Sequence, residues 1–306
     1  MGGSGNARFR DRSLSSTTAM DAKVPEEILC KILSYNISIS SVDFLRYVEC
    51  WEHSRVSRCC HLLLVSKRWL RIGTPLLYEF VWLSRPEHTA SVATLLRADP
   101  HVGKAIRCLK LEGGLGKDLV HIAKLAPKLQ SVYISLRIKS AESITGLKKA
   151  FPILKPVNLY IKEYIYRDNK KSTEARTLLY AHIQNKWTSL VSLELIISFP
   201  KASLIGLPPQ RSVTFSDWHR NMDDPLASAL GDSSIEELVL QASDADDWIH
   251  SGHMRRVLQN PHLQRVVCRG ITSERTTRKL LQQVHIPDAD AQKFTFVHDG
   301  ATDNIM

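Results

Sequence analysis

The sequence predicts an α/β protein, with a small all-α bundle near the N-terminus and a degenerate solenoid of parallel strands and helices after it. Two observations lead to this prediction. Short helical stretches with apolar stripes occupy residues 22–79, and from residue 80 onward the motif apolar-x-x-apolar-x-apolar recurs between helical patterns. The chain has 306 residues, of which 43% are apolar, so it has enough material for a buried core.

The first predicted helix follows a polar tail, residues 1–21, which we expect to be disordered. Pro25 suits the first helical position, because the N–H that proline lacks would be unpaired there. Ile28 and Ile32 are spaced i,i+4, as are Leu29 and Leu33, and together they form one apolar stripe. A helix this short is not stable alone, so the stripe has to pack on something.

Two more helices complete the predicted bundle. One covers about residues 42–65, and the next carries Leu62, Val65, Trp69 and Ile72 at spacings of three, four and three, with Pro75 ending it. Three helices in so short a segment have a marginal core. We therefore expect the bundle to dock its exposed apolar side on a partner.

The strand motif occurs in six copies, each followed by a helical pattern. The copies begin at Ile106, Leu129, Leu154, Leu190, Ile235 and Leu263, and a separate strand is predicted at residues 80–83. One such unit cannot bury its own apolar face, so consecutive units are expected to stack. The segment 196–234 contains Pro200, Pro208 and Pro209 and predicts an inserted loop.

The net charge of +10 is concentrated in the middle of the chain. Residues 101–200 carry 17 basic and 7 acidic residues, whereas residues 201–306 carry 11 basic and 14 acidic ones. Such a basic segment attracts nucleic acid or an acidic protein, and a solvated lysine-rich surface is the simpler interpretation. No nucleic-acid-binding motif accompanies the charge, so nucleic acid is not the expected partner.

No motif in the sequence matches a known phosphate-binding, zinc-binding or catalytic pattern well. Residues 113–118 follow a strand as a phosphate-binding loop does, but Leu111 stands where that motif needs glycine and Asp118 where it needs Ser or Thr. Cys50, His53 and Cys59-Cys60-His61 fit no zinc module. Histidines near aspartates, His219 with Asp217 and His250 and His253 with Asp246, are a weak acid–base signal. We expect no catalytic residue, no metal and no cofactor.

Six scattered cysteines and the lack of an apolar leader predict a reducing compartment, the cytoplasm or the nucleus. No apolar run approaches the roughly 18 residues that span a bilayer, so no membrane association is expected.

The N-terminal residues resemble an F-box. The resemblance rests on Val24-Pro25-Glu26-Glu27-Ile28-Leu29, on Leu63-Leu64-Val65-Ser66-Lys67-Arg68-Trp69 and on Thr74-Pro75-Leu76-Leu77-Tyr78-Glu79. The continuation Leu95–Pro100 and Arg107–Gly114 is similar to fungal F-box proteins with a leucine-rich-repeat-like region. About thirty residues separate Tyr35 from Val65, roughly twice the spacing of the compact family form, and the role of that insertion stays open.

The resemblance implies an F-box at residues 22–79 that binds a Skp-family adaptor, and a substrate-recognition domain at residues 80–306. The implied adaptor contacts are Pro25, Ile28, Leu29, Ile32, Leu33, Leu64, Val65, Lys67, Trp69, Leu76 and Tyr78. Residues that alternate with the buried strand positions are expected to face outward. The substrate-binding candidates among them are Lys110, Tyr133, Asn158, Tyr160, Glu194, Glu237, Arg265 and Arg269.

The implied function is that of a non-catalytic substrate receptor in a Skp–cullin–F-box ubiquitin ligase. Such a chain would link a target protein to a cullin–RING ligase and raise the effective concentration of target lysines near the ubiquitin carrier. Two alternatives stay open: an adaptor-bound interaction protein outside any ligase, and a basic nucleic-acid-associated repeat protein.

Overall fold

The structure is a computed structural model, and the chain divides into two compact units, Met1–Tyr78 and Glu79–Met306. We call them the N-terminal unit and the C-terminal unit. The residues that the structure describes are 24–41, 44–45, 60–113, 115–164, 169–198, 225–241, 252–270, 278–279, 281–282 and 285–297.

The N-terminal unit contains two packed helices, α1 (Glu26–Ile37) and α2 (Lys67–Leu77). Pro25 caps α1 from one position before the helix, instead of occupying its first turn as predicted. The Ser66 hydroxyl accepts a hydrogen bond from the Trp69 backbone N–H at 3.2 Å, which satisfies a free donor at the start of α2. Pro75 lies inside α2 and does not end it, so the predicted helix end is wrong by two residues.

The C-terminal unit alternates strands and helices from residue 80 to residue 297. The elements are β1 (Phe80–Leu83), α3 (Pro86–Ala98), α4 (Pro100–Gly103), β2 (Cys108–Glu112), α5 (Leu119–Leu125), β3 (Ser131–Ser135), α6 (Thr145–Ala150), β4 (Asn158–Tyr164), α7 (Lys170–Asn185), β5 (Ser192–Ser198), α8 (Pro225–Gly231), β6 (Glu237–Gln241), α9 (His253–Leu258), β7 (Arg265–Arg269), α10 (Asp288–Ala291) and β8 (Phe294–Val297).

All eight strands form one parallel sheet in sequential order, β1 to β8. Each strand is joined to the next by a helical crossover, as parallel pairing requires. Within the described chain, β1 pairs only with β2 and β8 only with β7, so the sheet has two edges and does not close into a barrel. The predicted α/β class with parallel strands is confirmed.

Two rows of apolar side chains run across the sheet and form the centre of the core. The register aligns Val81, Leu109, Val132, Leu159, Leu193, Leu238, Val266 and Phe294 in one row, and Leu83, Leu111, Ile134, Ile161, Leu195, Leu240, Cys268 and Phe296 in the other. Nearly all are buried. Side chains on a strand alternate between faces, so these rows leave the intervening residues on the opposite face.

The register corrects the third predicted motif. Val132 pairs with Leu159, and not with Val157, so this copy lies two residues further along the chain than predicted. Pro156 therefore stands where the other copies carry a leading aliphatic residue. Counting apolar residues alone could not detect this, because Leu154, Val157 and Leu159 also fit the motif.

Among the helices that the structure describes, none combines the length and the apolar character needed to cross a membrane.

Candidate protein-binding surface

Helix α1 carries two apolar stripes that lie side by side on its surface. Leu29, Leu33 and Ile37 form the first stripe, at spacings of four. Ile28, Ile32 and Tyr35 form the second, at spacings of four and three, rotated by about 100° from the first. The helix is thus apolar over a wider arc than contact with one neighbouring helix can cover.

The first stripe forms the core of the N-terminal unit. Leu29, Leu33 and Ile37 are buried together with Leu63. Partly buried apolar side chains pack around this core: Val24, Leu62, Trp69, Ile72, Leu76 and Leu77. Gly73 of α2 faces the same core, and a Cβ there would collide with the Leu63 side chain, so the glycine allows α2 to approach closely.

The second stripe is exposed. Ile28 is 50% exposed, Ile32 45% and Tyr35 78%. Three further large apolar residues of the same unit, Leu64, Val65 and Leu70, are also exposed, at 77%, 56% and 47%. We refer to Ile28, Ile32 and Tyr35 as the exposed stripe.

Charged groups join α1 to α2 beside the core. Arg71 forms a hydrogen-bonded ion pair with the Glu26 carboxylate, and Arg68 lies 3.8 Å from the same carboxylate. The hydrogen bond from Arg71, followed by the charges of Arg71 and Arg68, lowers the pKa of Glu26 below its ordinary value. Arg68 also donates a hydrogen bond to the Val24 carbonyl oxygen. These bonds hold the two helices so that the exposed stripe is left on the outside.

The residues that the F-box resemblance implied as adaptor contacts do not share one environment. Ile28, Ile32, Leu64 and Val65 are exposed, as are Pro25 and Lys67. Leu29 and Leu33 are core residues, and no partner can touch them without opening the helix pair. Trp69, Leu76 and Tyr78 are half-buried, and burial raises the pKa of the Tyr78 hydroxyl above its ordinary value.

Sequence reasoning did not assign Tyr35 and Leu70 as contact residues, although both are exposed. For Tyr35 a signal was present, because its spacing from Ile28 and Ile32 puts all three on one line of the helix. Leu70 had no such signal, since helical periodicity places it on the same face of α2 as Leu77, which packs against the core.

The second set of predicted contacts lies on the polar face of the sheet, which comprises the strand residues that alternate with the apolar rows. This face is less exposed than expected. Lys110, Tyr133 and Glu194 are buried, at 3%, 2% and 3% exposure, and Asn158, Tyr160 and Glu237 are half-buried. Of the eight predicted substrate contacts, Arg265 is the exposed one, and Arg269 is half-buried.

Lys110 shows how a charge is accommodated on this face. Its ammonium group lies 4.8 Å from the centre of the Tyr133 ring and 5.6 Å from that of Trp82, on the two neighbouring strands. The Glu112 carboxylate lies 3.6 Å from the same nitrogen. A buried ammonium needs such compensation, and the surrounding rings account for the burial of Lys110 without any ligand.

A ladder of polar side chains crosses the sheet near the amino ends of the strands. Asn158 donates a hydrogen bond to the Ser131 hydroxyl at 3.2 Å. Ser192 donates to one oxygen of Glu237 at 3.3 Å, and Arg265 Nε donates to the other at 2.7 Å. These contacts pair side chains of neighbouring strands and occupy several of the groups that were expected to bind a substrate.

The chemical motifs rejected from the sequence have ordinary structural roles where they are described. Gly113 and Gly116 have φ of 107° and 65°, values that favour glycine, and Asp118 pairs with Arg97 at 2.6 Å. Cys50, His53, Cys59, Asp217, His219, Asp246 and His250 lie outside the described residues. Across the described part of the chain, no cluster of His, Cys, Asp and Glu could hold a metal ion.

Comparison with known proteins gives little similarity. No family model matches the chain. No curated protein matches it. Among solved structures, a sugar phosphate isomerase/epimerase from Parabacteroides distasonis is similar over 74% of this chain and 88% of its own, with 10% identity and a TM-score of 0.26.

The predicted F-box membership is wrong on this comparison. The reported structure is an isomerase/epimerase, and no family model, for an F-box or for leucine-rich repeats, matches the chain. The same comparison contradicts the function implied by the resemblance, a ubiquitin-ligase substrate receptor, and leaves its two alternatives unsupported. It also contradicts the expectation that the chain is not an enzyme. With a TM-score of 0.26, neither the fold nor the reaction of that protein is assigned to this chain.

Proposed function

We propose that this chain is a protein-binding protein that captures a partner through the exposed stripe of its N-terminal unit. One observation carries the proposal. Among the described residues, the large apolar side chains that are exposed number seven, and six of them belong to the N-terminal unit. Val191, at 38% exposure, is the one in the C-terminal unit.

Exposure of the stripe to water is energetically unfavourable. Burying an aliphatic side chain contributes about 1.5–3 kcal/mol, and these side chains stay about half exposed in the free chain. Single exposed apolar residues are ordinary on protein surfaces, whereas a concentration of them marks an interaction site. Ile28, Ile32 and Tyr35 have the spacing by which one helix contacts another protein.

The proposal names the chemistry of the partner and not its identity: an apolar protein surface able to cover one line of a helix. The partners predicted from the sequence, a Skp-family adaptor with its cullin–RING ligase and an unknown protein substrate, stay predictions. A location in the cytoplasm or nucleus is also a proposal, supported by the free thiols of Cys30, Cys60, Cys108 and Cys268.

For the C-terminal unit, we infer a solenoid-like array of strand–helix units that serves as a rigid scaffold. The sequential strand order and the two sheet edges support this inference, since stacked units of one kind produce such an arrangement. Its polar face is largely closed by internal contacts, so the proposed binding function does not depend on that face.

Photo-cross-linking in the cells that make the protein tests the proposal. Benzoylphenylalanine replaces Tyr35, which is exposed and already aromatic, and adducts are identified by mass spectrometry. The expected result is one heterologous partner, whose adduct disappears in an Ile28→Asp/Ile32→Asp background. Val191→Asp is the matched control, because it also places a carboxylate on an exposed apolar site. An adduct between two copies of the chain, or one insensitive to the stripe substitutions, would contradict the proposal.

A further inference from the structure

Several exposed lysines of the C-terminal unit lie at one edge of the sheet, where the amino ends of the strands are. In a parallel sheet, the segments that lead from each helix into the next strand all lie at the amino edge. The segments entering β2, β3, β4 and β5, together with the helix ends before them, carry seven exposed lysines, and one of these, Lys148, forms an ion pair with Glu174. We call the other six the lysine rim: Lys104, Lys124, Lys128, Lys149, Lys155 and Lys186.

The register places members of the rim at equivalent positions. Lys128 lies three residues before Ser131, Lys155 lies three residues before Asn158, and these two strand residues pair with each other. Neighbouring strands are about 4.8 Å apart, so from β2 to β5 the rim extends over roughly 14 Å. Consecutive units therefore present the same charge at the same place.

The rim is not neutralised. None of its six lysines forms an ion pair with a described residue. The described carboxylates between Lys104 and Lys186 that belong to loops or helices are Asp118, Glu142 and Glu174, and they occur at the carboxyl edge or in the N-terminal half of a helix. The carboxyl edge therefore carries both signs of charge, since Lys117 and Lys139 also occur there, whereas these carboxylates do not belong to the segments that carry the lysine rim.

The connections that enter β6, β7 and β8 differ in their ion pairs from the four connections that enter β2 to β5. There the cations at the corresponding edge are paired: Arg256 with Asp232 at 3.5 Å, Arg265 with Glu237, and Lys293 with Asp290 at 3.0 Å. A need for solubility alone would not leave lysines unpaired on one half of the edge and pair the cations of the other half.

Favourable interaction with helix dipoles accounts for only part of the rim. Lys124 and Lys149 lie in the last turns of α5 and α6, where a cation stabilises the helix. Lys128 and Lys155 lie beyond those helices, in the turns that precede the strands, and gain little from the dipole.

We propose that the lysine rim binds an acidic protein segment, a run of Asp and Glu residues lying across the amino ends of β2 to β5. An extended peptide rises about 3.3 Å per residue, so roughly four or five residues cover the rim. A protein segment fits better than nucleic acid. The described surface of the C-terminal unit exposes no large aromatic side chain for stacking on bases, and the rim consists of lysines without the arginine forks that favour phosphate.

The test uses the full chain and a fluorescein-labelled polyglutamate peptide at low ionic strength, with fluorescence anisotropy as the readout. Lys128→Glu/Lys155→Glu should weaken binding about tenfold. The matched control is Lys117→Glu/Lys139→Glu, which reverses two exposed loop lysines at the carboxyl edge and should change affinity less than about twofold.

Three results would overturn the proposal: no binding of polyglutamate by the wild-type chain, equal weakening by both double variants, or tighter binding of duplex DNA than of polyglutamate. The melting temperature of each variant shows whether it is folded. If Lys128→Glu/Lys155→Glu does not fold, Lys128→Gln/Lys155→Gln replaces it, with Lys117→Gln/Lys139→Gln as its control. None of these substitutions touches the exposed stripe, so failure here leaves the proposed function standing.

Discussion

Ile28 and Leu29 are adjacent in the chain, yet Ile28 is 50% exposed and Leu29 is 2% exposed. One step of about 100° around α1 separates a side chain in the core of the N-terminal unit from a side chain in water. This contrast predicts opposite consequences for two similar substitutions. Leu29→Ala should lower the free energy of unfolding of the N-terminal unit by about 2–5 kcal/mol, because it leaves a cavity between α1 and α2.

Ile28→Ala should change the same free energy by less than about 1 kcal/mol, because its side chain is half exposed and leaves no closed cavity. Urea denaturation followed by tryptophan fluorescence, to which Trp69 of this unit contributes, measures both variants. Equal destabilisation by the two substitutions would mean that the two stripes of α1 are not distinct.

Gly103 is predicted to be irreplaceable in the C-terminal unit. It is the last residue of α4, and a Cβ at this position would collide with the backbone carbonyl oxygen of Leu125. Backbone cannot move aside as a side-chain end can, so Gly103→Ala should destabilise the unit by about 1–3 kcal/mol, although alanine is the better helix former. Thermal unfolding of the variant checks this, and an unchanged or raised melting temperature would show that α4 and α5 are less tightly packed.

Asn260 is predicted to stabilise the connection into β7 through its amide group. Its Nδ2 donates to the carbonyl oxygens of Leu230 and Ser233 at 2.8 and 3.1 Å, and its Oδ1 accepts from the His262 N–H at 2.8 Å. Asn260→Asp keeps the shape but removes both donors and places a carboxylate at a site with 1% exposure. We expect a loss of about 3 kcal/mol or more at neutral pH.

The pH dependence of the Asn260→Asp variant distinguishes the loss of the amide hydrogen bonds and the burial of a carboxylate from a simple packing defect. Once protonated, the introduced carboxyl group can donate one hydrogen bond, so the variant should recover part of its stability, relative to wild type, as the pH falls toward about 4. Denaturant titrations at several pH values measure the difference. A loss independent of pH would contradict the assigned role of the amide.

Cys108 is predicted to be an unreactive thiol. Burial is the main reason that the pKa of Cys108 is raised to about 11, while a hydrogen bond with Ser131 lowers this pKa and the nearby Glu79 carboxylate raises it. The thiolate is the reactive form, so iodoacetamide at a pH of about 8 should modify the exposed Cys60 far faster than Cys108 in the native chain. Peptide mass spectrometry follows both sites, and similar rates would contradict the burial.

The same shift predicts a pH effect on stability. Because the pKa is raised in the folded chain, the Cys108 thiol of the unfolded chain ionises at a lower pH than that of the folded chain. The stability that depends on the neutral thiol is therefore fully present below the ordinary pKa of 9.0 and is lost as the pH rises from about 9 to about 11. Wild type should lose up to about 2 kcal/mol more than Cys108→Ala over this range. Parallel curves for the two proteins would show that Cys108 does not titrate differently in the folded state.

Much of the architecture of the C-terminal unit could be predicted, because one regular feature encodes it. Alternation of aliphatic and polar residues in Leu109-Lys110-Leu111 and Leu193-Glu194-Leu195 specifies two apolar rows wherever parallel strands are in register. The third motif was misplaced because Leu154 and Val157 supply the same pattern two residues too early. Register depends on which strand residues pair, and that is not a local property of the chain.

The candidate site was only partly predictable. Periodicity separates Leu29 from Ile28 by angle, but which of the two faces the core depends on the position of α2, which is a tertiary property. Lys110 and Glu194 were expected to face outward as charged residues on the non-core face. Both are buried, and for Lys110 the burial arises from rings on the two neighbouring strands, those of Trp82 and Tyr133. Resemblance to a family supplied the F-box assignment, and the comparisons contradicted it.

The affinity of the full chain for the partner identified by cross-linking at Tyr35 tests the central claim most directly. Isothermal titration with purified proteins should show that Ile28→Asp/Ile32→Asp weakens binding at least about a hundredfold, since each substitution replaces an apolar contact with a desolvated charge. Val191→Asp should leave the affinity within about twofold of wild type. Unchanged affinity of a folded stripe variant would contradict the claim that this face of α1 binds the partner.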